Sequence, residues 1–479
     1  MRIAIIGAGP AGIAAGRELL QKGFTDFTIF DALDAPGGTW RLHSYPGLAC
    51  DVWAHSYSFT YAPNPDWSAN FVGFAEIQRY LADCATRFGL NTHLQLNTRI
   101  ARAEYLESGK WTLESTAGPL GEFDILISAM GNQHTPLYPN VEGIESFAGD
   151  SWHATCWNHD VDLKGKRIVV VGSAASAVQI VPELAAVAGH LTVLQRSANW
   201  IMPRRRKEYT DTQRSRFRKF PALIKMTRWV QRMMMGQVAH AVTIGHKRVG
   251  QFEGMVQKFI NSAIDDPALR KALLPDSRYG CKRGLVSDDF YPALNRDNVE
   301  LIPEGLSRVT PSGIVTASGR EIDADVIIYC TGYKILDYDR FDVIGKAGKN
   351  LGEVMGNEPR SFKGISVPDF PNFFFAVGPN GLVLNVSYFI TAERNVQTIV
   401  GLLSDLQRTG KSSMEVKREL FQGYNDAMDK EFPRFTWGAP DCNSYYTNES
   451  GHASFLFAGT FKEYAKLHED AGLQEYNVA

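Results

Sequence analysis

Two stretches of this chain carry small residues and charges at spacings that suit nucleotide chemistry. The first is IAIIGAGPAGIAAGRELLQKGFTDFTIFDA, where Gly7, Gly9 and Gly12 follow an apolar run and Asp31 lies 19 residues beyond Gly12. Glycines at that spacing allow a tight turn, a close approach of backbone to a pyrophosphate, and close packing of helix on strand. The helix that follows would aim free N–H groups and a positive dipole end at the phosphates. The second stretch is KGKRIVVVGSAASAVQIVPELAAVAGHLTVLQRS. Gly172 and Ser173 open it, Ala174 and Ala177 replace the second and third glycines, and Arg196, followed by Ser197, lies 19 residues beyond Ala177. An acid at that offset accepts from ribose hydroxyls and repels a 2′-phosphate; an arginine binds the phosphate with charge-assisted hydrogen bonds. Two unlike dinucleotides are therefore expected, FAD at the first turn and NADP(H) at the second, with hydride passing from nicotinamide to flavin. The methyl of Ala174 is expected to hold the pyrophosphate slightly further off.

These turns need strands and helices to position them. Apolar β-type runs alternate with helical patterns, which predicts an α/β fold with two doubly wound Rossmann-like domains. FDILISAMG (123–131) closes the first nucleotide unit and DADVIIYCTGY (323–333) the second, while PNFFFAVGPNG (371–381) reads as a returning strand of the first. The predicted organisation is a discontinuous FAD domain (1–140 and 335–479) interrupted by an NADP domain (150–332). A helical insertion is predicted over 204–275. It begins RRRKEYTDTQRSRFRKF, read as a solvated basic face, and its Trp229 and Met233, Met234 and Met235 are read as packing residues.

The chain has 479 residues, 44% apolar and 21% charged, with a net charge of −2. Its overall charge recruits neither nucleic acid nor an anionic membrane. The N-terminus runs straight into a strand pattern rather than a secretory signal, and no apolar run is long enough to insert stably in a membrane, so a cytoplasmic protein is expected. Cys50, Cys84, Cys156, Cys281, Cys330 and Cys442 show no metal-ligand spacing and read as free thiols in a reducing compartment; no metal is expected. Monomer and dimer both stay open.

Two further patterns bear on the reaction. Between the nucleotide turns runs Phe147-x-Gly149-x-x-x-His153-x-x-x-Trp157, a stretch with neither a clean helical nor a clean strand period. Upstream, GTWRLHSYPGLACD spaces Gly38, Thr39 and Trp40 from Tyr45, Pro46, Gly47 and Asp51. Together with the two turns these fingerprints resemble the type I Baeyer–Villiger monooxygenases, over essentially the whole chain, including GCKRGLVSDDFYPALNRDNVEL (280–301) and the tail CNSYYTNESG.

The resemblance implies that a C4a-peroxyflavin formed from FAD, NADPH and O2 attacks a ketone to give an ester or lactone, with sulfides as further substrates. It assigns Arg283 as the fixed positive charge beside the peroxide and Asp51 as its holder. Lys282 would be a second contact to the 2′-phosphate beside Arg196 and Ser197. Gly38, Thr39 and Trp40 would pack on the flavin. His153 would couple NADP binding to domain rotation, and Phe147, Gly149 and Trp157 would anchor that hinge. An N- or S-oxygenating flavin monooxygenase is the nearest alternative; such enzymes usually carry another aromatic at the Trp157 position. Ala154, Asn158 and Tyr445 depart from the resembled pattern and bear on substrate range. A disulfide reductase would need a partner for Cys50 in a CxxxxC spacing, which is missing.

Overall fold

The computed structural model describes residues 1–479 apart from 336, 443, 445, 449 and 450, so Tyr445 lies outside the described residues. The opening apolar run forms β1 (Ile3–Ile6) and the glycine turn leads into α1 (Pro10–Gln21). Pro10 takes the first helical position, where its missing N–H costs nothing. Then come β2 (Phe27–Phe30), α2 (Thr39–Leu42), α3 (Phe74–Arg87), β3 (Leu94–Gln95), an antiparallel meander β4 (Ile100–Tyr105), β5 (Trp111–Ser115) and β6 (Gly118–Phe123), and β7 (Ile125–Ser128).

The second unit begins with β8 (Asp150–His153), β9 (Arg167–Val171), α4 (Ala175–Ala185) and β10 (His190–Leu194). The short strand β11 (Ile201–Met202) pairs with β12 (Leu285–Val286), and between them lie α5 (Asp211–Lys219), α6 (Pro221–Ala241), α7 (Arg248–Ala263) and α8 (Pro267–Ala272). The unit closes with β13 (Val299–Ile302), the antiparallel β14 (Leu306–Thr310), β15 (Gly313–Thr316) and β16 (Glu321–Asp323), and β17 (Val326–Tyr329). The chain then adds β18 (Asp342–Ile344) beside β4 and returns with β19 (Phe373–Phe375).

Two five-stranded parallel sheets result, ordered β19-β7-β1-β2-β3 and β13-β10-β9-β17-β8. In each, the glycine turn follows the central strand. Ile3 pairs with Phe27 and Ile125 in one sheet, and Ile168 pairs with Leu191 and Val326 in the other. Both have the doubly wound α/β order whose switch point lies beside the central strand. The meander β4-β5-β6 covers the first sheet through a core of Trp111, Leu113, Phe123, Phe30 and Phe373. The hairpin strands β14 and β15 do the same for the second with Val309 and Ile314. Neither meander was anticipated from the sequence, although Gly109, Gly118, Gly313 and Gly319 mark their turns.

The stretch from Phe147, left without an element by its period, is strand in part: β8 pairs in parallel with β17 at the edge of the second sheet, in the place β19 holds in the first. Two expectations are corrected. Trp229, Met233 and Met234 are exposed rather than packed, because α6 turns its other face to the protein. Cys281 and Cys442 are joined in a disulfide across a separation of 161 residues, as the C-terminal segment folds back over the loop before Arg283. No local spacing signals such a pair, and cysteine usage no longer argues for a reducing compartment. Cys50, Cys84 and Cys330 are buried free thiols and Cys156 an exposed one.

Candidate active site

At the first turn Gly7 has φ +110°, and a Cβ there would lie 2.5 Å from the Ala129 carbonyl oxygen. A Cβ on Gly12 would lie 1.8 Å from the Gly7 carbonyl oxygen, so helix and turn can meet only without side chains. Gly9 has ordinary extended backbone, and its nearest neighbour is Gly38, which itself has φ +56°. Gly37 N–H donates to the Ala8 carbonyl at 3.0 Å, which docks the Gly38-Thr39-Trp40 corner on the turn. Asp31 is buried at the end of β2 and accepts from the Ala8 amide at 2.6 Å and the Leu33 amide at 2.8 Å. Burial pushes its pKa up, opposed by those amides and by Arg340 and Arg99. Each carboxylate oxygen keeps a lone pair for a further donor.

The second turn repeats this backbone with different side chains. Gly172 has φ +112° against the Cys330 carbonyl. Ala174 has φ −87° and ψ −163°, close to the −78° and −170° of Gly9, so alanine is unstrained there and its methyl is exposed. Ala177 is fully buried where Gly12 stands in the first turn. Ser173 Oγ donates to the Ser197 carbonyl at 3.1 Å, and Asn199 donates to the Ser173 carbonyl, tying the turn to the segment after β10. Arg196 is exposed there, with no carboxylate partner among the described residues. Lys282 Nζ donates to Ser197 Oγ at 2.6 Å. Burial lowers the Lys282 pKa, Arg196 lowers it further, and Asp276 opposes both. Arg196, Ser197 and Lys282 thus converge on one cationic corner.

Arg283, next in sequence to Lys282, turns the other way. Its Nε donates to Asp51 Oδ2 at 2.8 Å and its Nη2 to Oδ1 at 2.9 Å, a bidentate pair with both side chains half-buried. Trp40 is buried; its Nε1 donates to the Tyr57 hydroxyl at 3.2 Å and the rings meet edge to face, and Tyr57 lies close enough to Asp51 and Arg283 to sense both charges. Burial raises the Tyr57 pKa, so the hydroxyl stays protonated. The loop carrying Asp51 is braced from the second sheet. Tyr45 OH donates to Gln179 Oε1 at 3.1 Å, and Gln179 Nε2, on α4, donates to the Ala49 carbonyl at 2.8 Å.

The fingerprint residues lie apart from this pair. His153 ends β8, buried, with Nδ1 accepting from the Thr155 amide at 3.1 Å. Its ring meets Tyr138 on one chain crossing and Tyr333 on the other. Those crossings pair with each other: Leu137 N–H donates to the Gly332 carbonyl and Lys334 N–H to the Thr135 carbonyl. Burial pulls the His153 pKa down to about 4. Phe147 packs into the second sheet's core, a Cβ on Gly149 would strike the Asp325 carbonyl at 2.5 Å, and Trp157 lies edge-on to Trp152. Tyr57, Gln179 and Tyr333 were not foreseen: a lone tyrosine or glutamine without a glycine turn beside it carries no spacing signal. No group of described residues has the makings of a metal site.

The sequence profile of the flavin-binding monooxygenase-like family matches residues 1–346. A Baeyer-Villiger monooxygenase of Streptomyces coelicolor is 34% identical over 100% of this chain and 92% of its own. A Baeyer-Villiger monooxygenase of Pseudomonas aeruginosa is 36% identical over 100% of this chain and 91% of its own. Among solved structures, OTEMO in complex with FAD and NADP superposes with a TM-score of 0.89 at 25% identity, covering 100% of this chain and 99% of the other. Closed cyclohexanone monooxygenase shares the fold with a TM-score of 0.89 at 24% identity and the same coverage.

Proposed function

The chain belongs to the flavin-binding monooxygenase-like family and is an FAD- and NADP-dependent monooxygenase, and from that premise we propose that it is a Baeyer–Villiger enzyme, inserting one atom of O2 beside a ketone carbonyl to give an ester or lactone. The observation that carries the reading is the bidentate Arg283–Asp51 pair.

Gly7, Gly9, Gly12 and Gly38 leave the backbone-lined cradle that a pyrophosphate needs, and Asp31 has free lone pairs where a ribose would stand. Gly172, Ser173, Ala174 and Ala177 form the equivalent cradle for NADP(H), and Arg196, Ser197 and Lys282 supply the donors that a 2′-phosphate requires. When bound, the flavin accepts hydride from NADPH and activates dioxygen.

The chain's own residues do the rest. Arg283 cannot lose its proton, so it holds a permanent positive charge where negative charge develops on the transferred oxygen. Asp51 fixes the plane of that guanidinium and offsets the cost of enclosing it. Tyr57, kept protonated and held by Trp40, lies close enough to both members of the pair to sense their charges. His153, wedged between the two crossings, acts as a positioning residue for the relative setting of the two sheets. Thioethers form a second substrate class under this reading, since a sulfur lone pair takes an oxygen atom without a carbonyl adduct.

The test is product stoichiometry. The purified yellow protein, given NADPH, air and a panel of cyclic, linear and aryl ketones, should form one ester or lactone per NADPH consumed with at least one ketone. NADPH consumption that yields only hydrogen peroxide or only sulfoxides across the panel would contradict the reading.

A further inference from the structure

The helix α6 presents its apolar side to solvent. Met226, Trp229 and Met233 follow the i, i+3, i+7 spacing of one face, with Val230 and Met234 on its edge; Trp229 is 62% exposed and Met226 58%. The opposite face holds the polar anchors. Arg228 donates to Ser58 Oγ at 3.0 Å and to the Phe59 carbonyl at 3.1 Å, and buried Gln231 accepts from Ser56 Oγ at 2.8 Å. This inverts the usual surface helix, whose apolar stripe faces the core. The apolar residues are also gathered rather than scattered. Of thirteen exposed large apolar side chains among the described residues, eight fall between Phe220 and Met255.

Charge marks the same face. Between Asp211 and Glu253 the sequence holds nine lysines and arginines and no acid. Over 204–275 there are 16 basic and 5 acidic residues, although the whole chain carries −2, so the remainder is strongly acidic. Lys225 and Arg232, seven residues apart on α6, lie exposed along one flank of the apolar row, and Lys219 is exposed two residues before α6 begins.

We propose that the outer face of α6 docks the protein reversibly on an anionic lipid surface, with Trp229, Met226 and Met233 at the depth of the headgroup–acyl boundary and the flanking lysines against lipid phosphates. A solvent-facing apolar row edged by cations fits a planar, fluid, negative surface. A second copy set face to face would bring the same cations together, which opposes that pairing. The acidic remainder of the molecule is repelled by the same surface, so one orientation is selected. Binding is peripheral: among the described residues no helix is long and apolar enough to cross a membrane.

The experiment is vesicle co-sedimentation of the full-length holoprotein, using phosphatidylcholine vesicles with and without phosphatidylglycerol, at low and high salt. Wild type should bind the phosphatidylglycerol vesicles at least about tenfold better than the neutral ones, with the excess lost at high salt. Lys219→Glu with Lys225→Glu should remove about tenfold or more of that binding. Met226→Gln, Trp229→Gln and Met233→Gln together should also abolish it, leaving the melting temperature and the NADPH oxidation rate in solution unchanged. Failure of wild type to bind, or unchanged binding by both sets of variants, would overturn the proposal. So would a shift from dimer to monomer in the apolar variants without any vesicle binding by wild type, which would mark the face as a protein interface.

Discussion

Lys282 and Arg283 are neighbours in sequence but are held by opposite halves of the molecule: Lys282 by Ser197 after β10, and Arg283 by both oxygens of Asp51 in the loop after α2. One short loop thus reaches both nucleotide corners. The fork geometry at Asp51 cannot be reproduced by a lysine. Arg283→Lys should keep a positive charge yet lower ester formation by about tenfold to a hundredfold, with FAD content unchanged; steady-state ketone oxidation and the flavin absorbance check this. Activity equal to wild type would show that charge alone, without the fork, is enough.

Arg196 has no carboxylate partner among the described residues, and Lys282 stands beside it. A charge-assisted hydrogen bond is worth about 1.5–3 kcal/mol, roughly tenfold to a hundredfold in affinity. Arg196→Ala should raise the KM for NADPH by that factor and leave the KM for NADH nearly unchanged, as read from anaerobic flavin reduction. Equal shifts for both coenzymes would remove the arginine from the phosphate site.

His153 is buried with its pKa pulled down to about 4, as are His55 and His134, and burial takes His468 to about 3. An unfolded histidine titrates near 6.5. Below that pH the unfolded chain takes up protons that the folded one refuses, so stability should fall as pH drops from about 6.5 toward 4. His153→Gln should reduce the slope of that loss by up to one proton, about 1.4 kcal/mol per pH unit, in urea melts taken across this range. An unchanged slope would mean that His153 protonates in the folded state.

The Cys281–Cys442 disulfide anchors the tail two residues before Arg283. Closing so long a loop stabilises by about 3–5 kcal/mol through the unfolded chain. Cys442→Ser should therefore lower the melting temperature and loosen the arginine loop, reducing ketone oxidation more than flavin reduction. A dithiol reductant should reproduce the effect in wild type and do nothing further to the variant.

Much of the positioning framework was legible because it depends on glycine. Gly7 and Gly172 need a backbone that other residues avoid, and apolar runs before them mark the strands. The charge contrast of Asp31 and Arg196 was legible because each closes a strand at a fixed offset. What escaped reading depends on long-range contact. Gln179 braces the Asp51 loop across 130 residues, Cys442 meets Cys281 across 161, and β8 completes a sheet through residues whose side chains show no strand alternation. Ala174 looked like a departure from a glycine rule, yet its backbone is the one Gly9 adopts and needs no glycine. Trp229 and the methionines after it were read by type as core; the polar grip of Arg228 and Gln231 on the loop after Asp51 turns them outward.

The central claim is that Arg283 serves oxygen transfer and not hydride transfer. Its direct test is to mix Arg283→Ala anaerobically with NADPH, follow loss of the flavin absorbance, then add ¹⁸O2 and a ketone that wild type converts. The account predicts flavin reduction within a few fold of wild type and ¹⁸O-labelled ester reduced by about a hundredfold or more. Labelled ester at the wild-type yield would contradict it.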